Sequence, residues 1–154
     1  MIGLLQRVSS ARVSVQGEVI AAIGIGLLVL VGVERDDDLG TADRLLTRIL
    51  SYRMFPDSAG KMNLSLAHVQ GALLLVPQFT LAADTRNGTR ASFSSAAPPE
   101  RGKALFGYLV EQALVRHPLV QSGRFGAEME VALVNHGPVT FWLQVSTKYQ
   151  STLQ

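Results

Sequence analysis

The chain has 154 residues, of which 47% are hydrophobic and 17% are charged, with 14 basic and 12 acidic side chains. A globular chain of this length buries enough apolar surface to form a core without disulfide bonds or a structural metal. The net charge of +2 is carried by scattered side chains, which excludes a broad electrostatic coat for duplex nucleic acid. The absence of cysteine excludes thiol nucleophiles, iron–sulfur clusters and Cys-based zinc sites.

The N-terminus and a glycine-interrupted aliphatic stretch bear on location. No basic segment precedes an apolar run at the N-terminus, as a secretory signal would require. The stretch 19–33 is interrupted by Gly24, Gly26 and Gly32, and it is shorter than the ~20 residues that span a bilayer. We therefore expect a cytoplasmic protein without a membrane partner. The charge-poor composition leaves two explanations open, a large core or a subunit interface.

The first half of the chain predicts three strands followed by a helix. The strands fall at residues 2–15, 19–23 and 27–33. The third is a near-continuous aliphatic run, which is typical of a strand buried on both faces. The segment Asp36–Asp38 and Thr41 supply N-capping groups for the helix, whose apolar residues recur at helical spacing. Phe55-Pro56-Asp57 is predicted to end it.

The second half predicts one strand, a long loop, a second helix and two final strands. The strands fall at residues 73–76, 129–134 and 139–145, the loop at 82–97, and the helix between Pro98 and His117. Hairpins at both ends favour an α+β fold, a mostly antiparallel sheet forming a partly open barrel with two main helices. We expect one domain over residues 1–145 and a flexible tail at 146–154.

Two common site patterns fail on spacing. Gly24-x-Gly26 lacks the third glycine of a dinucleotide-binding loop, and a strand rather than a helix follows it. The three histidines, His68, His117 and His136, have no metal-ligand spacing. We therefore expect neither a metal nor a cofactor.

Two other segments have functional and structural interpretations. Gln78, Phe79 and Thr80 follow a buried strand and precede the long loop, a position where scaffolds present functional groups. The alternative is a strand end whose polar side chains are satisfied locally. Gly137-Pro138 stands in a predicted turn, and X–Pro bonds are cis in about 5–6% of folded cases, often in tight turns. The alternative there is a trans turn.

These segments carry a resemblance to a known family. Gln78-Phe79-Thr80-Leu81 and Asn135-x-Gly137-Pro138-Val139-Thr140 resemble the two signature segments of the D-aminoacyl-tRNA deacylases, which remove D-amino acids from tRNA. Further blocks similar to the family stand in family order at residues 6–8, 60–65, 83–86, 97–100 and 123–127. The resemblance covers about residues 1–145.

The resemblance implies a homodimer in which a Gly-cisPro motif reaches into the active site of the other subunit. Gly137 and Pro138 would present backbone carbonyls to the amino group of the aminoacyl moiety. A rigid turn close to Cα rejects an L side chain sterically, while D residues and glycine enter. Arg7 matches the family arginine that holds the motif in place, and a solvated strand-edge arginine is its alternative.

The resemblance also assigns the rest of the site. It implies that Gln78, Phe79 and Thr80 are catalytic, with the backbone N–H of Phe79 and the neighbouring Thr80 against the ester and the terminal adenosine. Phe125, Gly126 and Met129 would line the pocket for the terminal adenine. The alternative interpretation of Met129 is a side chain in the hydrophobic core. No general base belongs to either motif, so Thr80 is not an obvious nucleophile. The resemblance instead implies that the terminal 2′-OH of the tRNA assists hydrolysis and that no cofactor is needed.

The expected function is hydrolysis of D-aminoacyl-tRNA and of mischarged glycyl-tRNA(Ala). One departure is Pro77, which replaces the usual family serine and so removes an N–H and a hydroxyl. That departure keeps a second hypothesis open, a non-catalytic module that binds the tRNA 3′ end. A structural dimer without a site is the third.

Overall fold

The structure is a computed structural model that describes residues 1–147. Within them the strands are β1 (Ile2–Val15), β2 (Glu18–Ile23), β3 (Gly26–Gly32), β4 (Phe55–Pro56), β5 (Met62–Leu64), β6 (Ala72–Pro77), β7 (Val120–Ser122) and β8 (Glu130–Gln144). The helices are α1 (Leu39–Ser51), α2 (Leu66–Val69) and α3 (Pro99–Arg116), and a 3₁₀ helix spans Phe79–Ala82. From residue 148 onward, the predicted flexible tail lies outside the described residues.

The sheet is organised around the long strand β1. Strands β2, β3 and β8 all pair with β1 in antiparallel orientation, while β6 extends the sheet from β3 and β7 from β6 in parallel orientation. The backbone N–H of Ala22 in β2 donates to the side-chain oxygen of Gln121 in β7 at 2.7 Å, which links the two ends of the sheet. The predicted α+β class, with a mostly antiparallel, partly open barrel and two main helices, is confirmed.

Strand β8 corrects the prediction of two strands joined by a hairpin turn. Both of its halves pair with β1 in the same direction. Thr140 lies opposite Gln6 and Asn135 lies opposite Val8, so β8 has more residues between these two pairs than β1 has. The surplus residues form a bulge, after which the strand resumes its course. The hairpin prediction was wrong because Gly-Pro marks a break in strand pairing without showing whether the chain reverses.

The core lies on both sides of β3. Leu27, Leu28 and Val29 are fully buried, as the continuous aliphatic run predicted. One core cluster packs β1, β3 and β6 against the helices α1 and α3. A second cluster fills the opposite face of the sheet, beneath β2 and the first half of β8. No helix among residues 1–147 combines the length and apolar character that crossing a membrane requires.

Helix α1 begins as its capping residues predicted. Asp38 Oδ1 accepts a hydrogen bond from the backbone N–H of Thr41 at 2.8 Å, and the Thr41 hydroxyl accepts one from the backbone N–H of Asp38 at 3.3 Å. These hydrogen bonds with Thr41 hold the pKa of Asp38 below its usual value. The helix ends at Ser51, before the predicted Phe55, because Tyr52 is already extended. The Tyr52 ring packs on Phe141 of β8, 5.3 Å between centroids.

Candidate active site

An open cavity of about 440 Å³ lies where the parallel strands β3 and β6 end. The carboxyl ends of parallel strands are common ligand sites. The lining residues come from β3, β6, the 3₁₀ helix, the start of α3 and the segment around β8: Val31, Val33, Val76, Pro77, Gln78, Phe79, Ala97, Pro99, Gly102, Phe106, Phe125, Gly126, Ala127, Met129 and Val131. Most of these residues are apolar, so the cavity suits a ligand with an apolar face.

Three predicted pocket residues meet in this cavity. Phe125, Gly126 and Met129 all line it, and the Phe125 ring packs on Phe106 of α3 at 6.4 Å between centroids. The backbone N–H of Arg124 donates to the sulfur of Met129 at 3.4 Å, which ties the segment together. Met129 also packs against the second core cluster, so both interpretations of this residue describe its position. Its contact with adenine stays a prediction.

The second wall is the segment that follows β6. The backbone N–H of Gln78 donates to the carbonyl of Val31 at 2.8 Å, and the chain then turns directly into the 3₁₀ helix. This turn packs closely on β3, because a Cβ at Gly32 would lie 2.9 Å from Leu81 Cβ. The sequence predicted a strand end and a loop here, and four residues without periodicity gave no signal for a helix. Gln78 and Phe79 line the cavity, whereas Thr80 is exposed outside its lining.

The Thr80 hydroxyl has a partner that does not activate it. Gln78 Nε2 lies 2.5 Å from Thr80 Oγ1 and donates to it. An amide N–H cannot accept the hydroxyl proton, so this contact provides no general base. The local satisfaction of these two polar side chains agrees with the structural alternative weighed for this segment. It also agrees with the absence of a base in the sequence motifs.

Pro77 occupies a position that tolerates proline. It is the last residue of β6, opposite Val31 of β3, and the next N–H along the chain makes the hydrogen bond back to β3. Proline at this place removes a donor only where the strand ends. Pro77 lines the cavity, so the ligand meets an apolar ring there in place of a hydroxyl.

The second signature segment forms the bulge in β8. The Gly137–Pro138 peptide bond is cis, as the resemblance implied, and Gly137 has φ +137°. Arg7 Nε donates to the carbonyl of His136 at 2.9 Å, and Arg7 Nη1 donates to the carbonyl of Met54 at 2.8 Å. Arg7 therefore contacts the residue before the Gly-Pro pair and ties the bulge to the segment that follows α1.

Asn135 is a supporting residue that the sequence reasoning did not single out. Its Oδ1 accepts a hydrogen bond from the backbone N–H of Val139 at 2.9 Å, and its Nδ2 donates to Thr140 Oγ1 at 2.7 Å. These two bonds close the bulge from inside. The available signal was its place at the head of the signature segment, with Thr140 at the other end.

The structure does not bring the two halves of the predicted site together within one chain. Gly137 and Pro138 are exposed, and neither they nor Arg7 line the cavity. Gln78 and Phe79 thus share one cavity with Phe125, Gly126 and Met129, and the Gly-Pro bulge is not part of the lining of that cavity.

No three acidic or histidine side chains gather to hold a metal ion within residues 1–147. The histidines have structural contacts: His68 Nδ1 lies 2.8 Å from Ser65 Oγ at the start of α2, and His117 Nε2 lies 2.6 Å from the carbonyl of Gly71. His136 contributes its backbone carbonyl to Arg7.

Solved structures define the class of this fold. A protein described as c-Myc DNA Unwinding Element Binding Protein superposes with a TM-score of 0.91 and 36% identity, covering 95% of this chain and 99% of that chain. A structure described as a probable eukaryotic D-amino acid tRNA deacylase superposes with a TM-score of 0.84 at 16% identity, covering 94% of this chain and 98% of that chain, and shows the fold alone. The chain thus shares its α+β barrel fold with both structures.

Sequence comparison gives the family. The model of the D-Tyr-tRNA(Tyr) deacylase family matches residues 4–144. A D-aminoacyl-tRNA deacylase of Nitrosococcus oceani is 62% identical, covering 98% of this chain and 97% of its own, and one of Pseudomonas putida is 64% identical, covering 94% and 100%. This chain belongs to the D-Tyr-tRNA(Tyr) deacylase family. The predicted enzyme class, a hydrolase of the deacylase type, is confirmed.

Proposed function

We propose that the chain hydrolyses the ester bond of D-aminoacyl-tRNA to give a free D-amino acid and tRNA. The observation that carries this proposal is the family signature Gln78-Phe79-Thr80-Leu81 at the wall of the cavity that Phe125, Gly126 and Met129 also line. Sites of ~300–1,000 Å³ hold ligands of small-molecule size, and the cavity volume of about 440 Å³ falls in that range. The ligand in this proposal is the terminal aminoacyl-adenosine.

The protein contributes orientation and hydrogen-bond donors to the reaction. Water attacks the ester carbonyl carbon, the bond to the ribose 3′-oxygen breaks, and that oxygen leaves with a proton as a hydroxyl. The backbone N–H of Phe79, at the start of the 3₁₀ helix, is the proposed donor to the carbonyl oxygen as negative charge develops on it. The terminal 2′-OH assists the attacking water, since the Thr80 hydroxyl has only an amide partner among residues 1–147.

The Gly-Pro bulge of a second subunit completes the site in this proposal. Supporting it, Gly137 and Pro138 are exposed and do not line the cavity of their own chain. The same strand exposes large apolar side chains, with Trp142 52% and Val134 56% accessible, which fits a surface covered in a homodimer. The bulge then lies over the substrate Cα, where it excludes an L side chain and admits hydrogen.

The same filter extends the substrate range to glycine. Glycine has no side chain to reject, so mischarged glycyl-tRNA(Ala) is the second proposed substrate. Both activities belong to translation quality control, and we propose that the enzyme acts as a homodimer on tRNA in the cytoplasm.

The test of this function is the release of amino acid from matched D-tyrosyl-, L-tyrosyl- and glycyl-tRNA. We expect the D and glycyl esters to be hydrolysed at least about 100-fold faster than the L ester, a ratio that a shape-selective site can reach. Equal rates for the D and L esters would contradict the proposal. The matched tRNA body ensures that only the configuration at Cα differs.

Pro77 favours a second candidate, a non-catalytic module that binds the tRNA 3′ end. Proline provides neither the hydroxyl nor the N–H of the family serine, so any reaction step that needs them is lost. Tight binding of a D-aminoacyl-adenosine analogue with no turnover of D-tyrosyl-tRNA would establish this candidate. Restoration of turnover by Pro77→Ser would identify proline as the cause.

A further inference from the structure

Two aromatic side chains lie exposed next to each other at the rim of the cavity. Phe79 is 59% accessible and Phe93 is 46% accessible, and their ring centroids are 5.2 Å apart with an interplanar angle of 45°. We propose that this pair, the Phe79–Phe93 platform, stacks the base of the nucleotide that precedes the terminal adenosine. The inference rests on the proposed function and assigns a second nucleotide-binding position next to the adenosine cavity.

The platform is continuous with the cavity because Phe79 belongs to both. Phe79 lines the cavity and also contacts Phe93, which lies outside the lining. A cavity of about 440 Å³ takes one nucleoside, so the nucleotide linked to it emerges at the rim. Aromatic side chains beside a single-stranded path are the usual means of holding successive bases, and stacking tolerates any base.

The loop that carries Phe93 is held in place before any ligand arrives. Asp84 and Ser92 exchange two backbone hydrogen bonds, of 2.7 and 3.0 Å. On the other side of Phe93, Ser95 Oγ donates to the carbonyl of Ala82 at 2.5 Å, and its own carbonyl accepts from the N–H of Arg35 at 3.0 Å. A side chain presented on a fixed loop loses little freedom on binding, which favours a recognition role for Phe93.

The same loop carries a cation suited to a phosphate. Arg86 is paired with Asp84, whose Oδ2 lies 2.6 Å from Arg86 Nη2, and this hydrogen bonding lowers the pKa of Asp84 to about 2. Arg90 is exposed and makes no hydrogen bond or ion pair within residues 1–147. The loop thus has one internally neutralised arginine and one whose charge is available. That combination favours a nucleotide over an uncharged apolar partner.

The experiment compares two substrates that differ in the proposed contact. D-tyrosyl-tRNA has the preceding nucleotide, whereas D-tyrosyl-adenosine lacks it. For Phe93→Leu, which keeps an apolar side chain but removes the ring, we expect kcat/KM on the tRNA to fall about 5- to 100-fold, mainly through KM. Hydrolysis of D-tyrosyl-adenosine is expected to stay unchanged. Phe93→Trp keeps a stacking face and is expected to retain activity on both substrates.

Arg90 gives an independent electrostatic readout. Arg90→Gln is expected to reduce the slope of log binding against log salt by about 0.7, the value for one phosphate contact with a single strand. Arg116→Gln is the control at a distance: Arg116 is also exposed, donates to Thr47 Oγ1, and ends α3 about 15 Å along the helix from Phe106, the last α3 residue that lines the cavity. This control is expected to leave the slope unchanged.

Several outcomes would overturn the platform. An equal loss on both substrates would show that Phe93 supports the active site, and no loss on the tRNA would show that no base stacks there. A change in oligomeric state caused by Phe93→Leu would assign the rings to a second copy. If the wild-type chain hydrolyses neither substrate, the proposed function fails, and binding of the unacylated trinucleotide CCA then tests the platform. Weaker binding by Phe93→Leu supports the platform, and equal binding refutes it.

Discussion

Replacement of Gly137 by alanine is expected to lower the rate of D-aminoacyl-tRNA hydrolysis by about 100-fold or more, as a displacement of ~1 Å in a positioning group does. Gly137 has φ +137°, a conformation that side chains rarely allow. A Cβ there would lie 2.7 Å from Val139 Cγ2 and 3.0 Å from the Val139 nitrogen. The bulge must therefore shift, which would displace the carbonyls that we propose contact the substrate amino group. Steady-state hydrolysis of D-tyrosyl-tRNA measures the effect.

A glycine elsewhere in the chain provides the matched control. Gly107 lies in α3 with no atom within 4 Å of a Cβ built on it. Gly107→Ala is expected to retain activity and to raise stability by about 0.5–1 kcal/mol, because alanine favours a helix interior. Hydrolysis at the wild-type rate by Gly137→Ala would show that the bulge plays no part in the reaction.

A tRNA that ends in 2′-deoxyadenosine is expected to be hydrolysed about 100- to 10,000-fold more slowly than the normal substrate, the range for loss of a general acid–base group. Thr80→Ala is expected to hydrolyse the normal substrate at a rate within about tenfold of the wild type, because only a few positioning contacts are lost. The reason is that the Thr80 hydroxyl accepts from Gln78 Nε2 and, among residues 1–147, contacts no base that could remove its proton. Amino acid release from both substrates by both proteins measures the contrast.

The baseline for this contrast is the spontaneous hydrolysis of each ester without enzyme. After subtraction, a large loss with Thr80→Ala and a small loss with the deoxy substrate would reverse the assignment. Thr80 would then be a protein nucleophile activated only when substrate binds. If the wild-type enzyme hydrolysed the 2′-deoxy substrate as fast as the normal substrate, the 2′-OH would have no part in the mechanism.

Elements with a clear period or cap were predictable from the sequence. The Asp38 and Thr41 cap, the apolar stripe of α3 and the aliphatic run of β3 each come from local side-chain chemistry. The short elements β4, β5, β7 and α2 were missed because two to four residues are too few to show a period. The continuity of β8 was missed because both of its halves pair with β1, a partner distant in the chain.

Several residues of the cavity wall were predictable from the sequence, whereas their arrangement relative to the Gly-Pro bulge was not. Motif reasoning found the wall at Gln78 and Phe79 and the pocket at Phe125, which the fold brings together. It could not show that the Gly137 bulge is absent from the lining of that cavity, because this depends on how β8 pairs with the distant strand β1. It also missed the carbonyl of Met54 as a partner of Arg7, since any residue has a carbonyl to offer.

In the proposed homodimer, each active site combines the cavity of one subunit with the Gly-Pro bulge of the other. The most direct test mixes two variants that are each expected to be inactive alone: Gly137→Ala, which alters the bulge, and Phe125→Ala, which removes a ring from the cavity wall. Random pairing places one intact pocket against one intact bulge in half of the dimers, which predicts about a quarter of wild-type D-tyrosyl-tRNA hydrolysis. Activity of the mixture no higher than the mean of the two variants alone, in samples shown to contain mixed dimers, would contradict the claim.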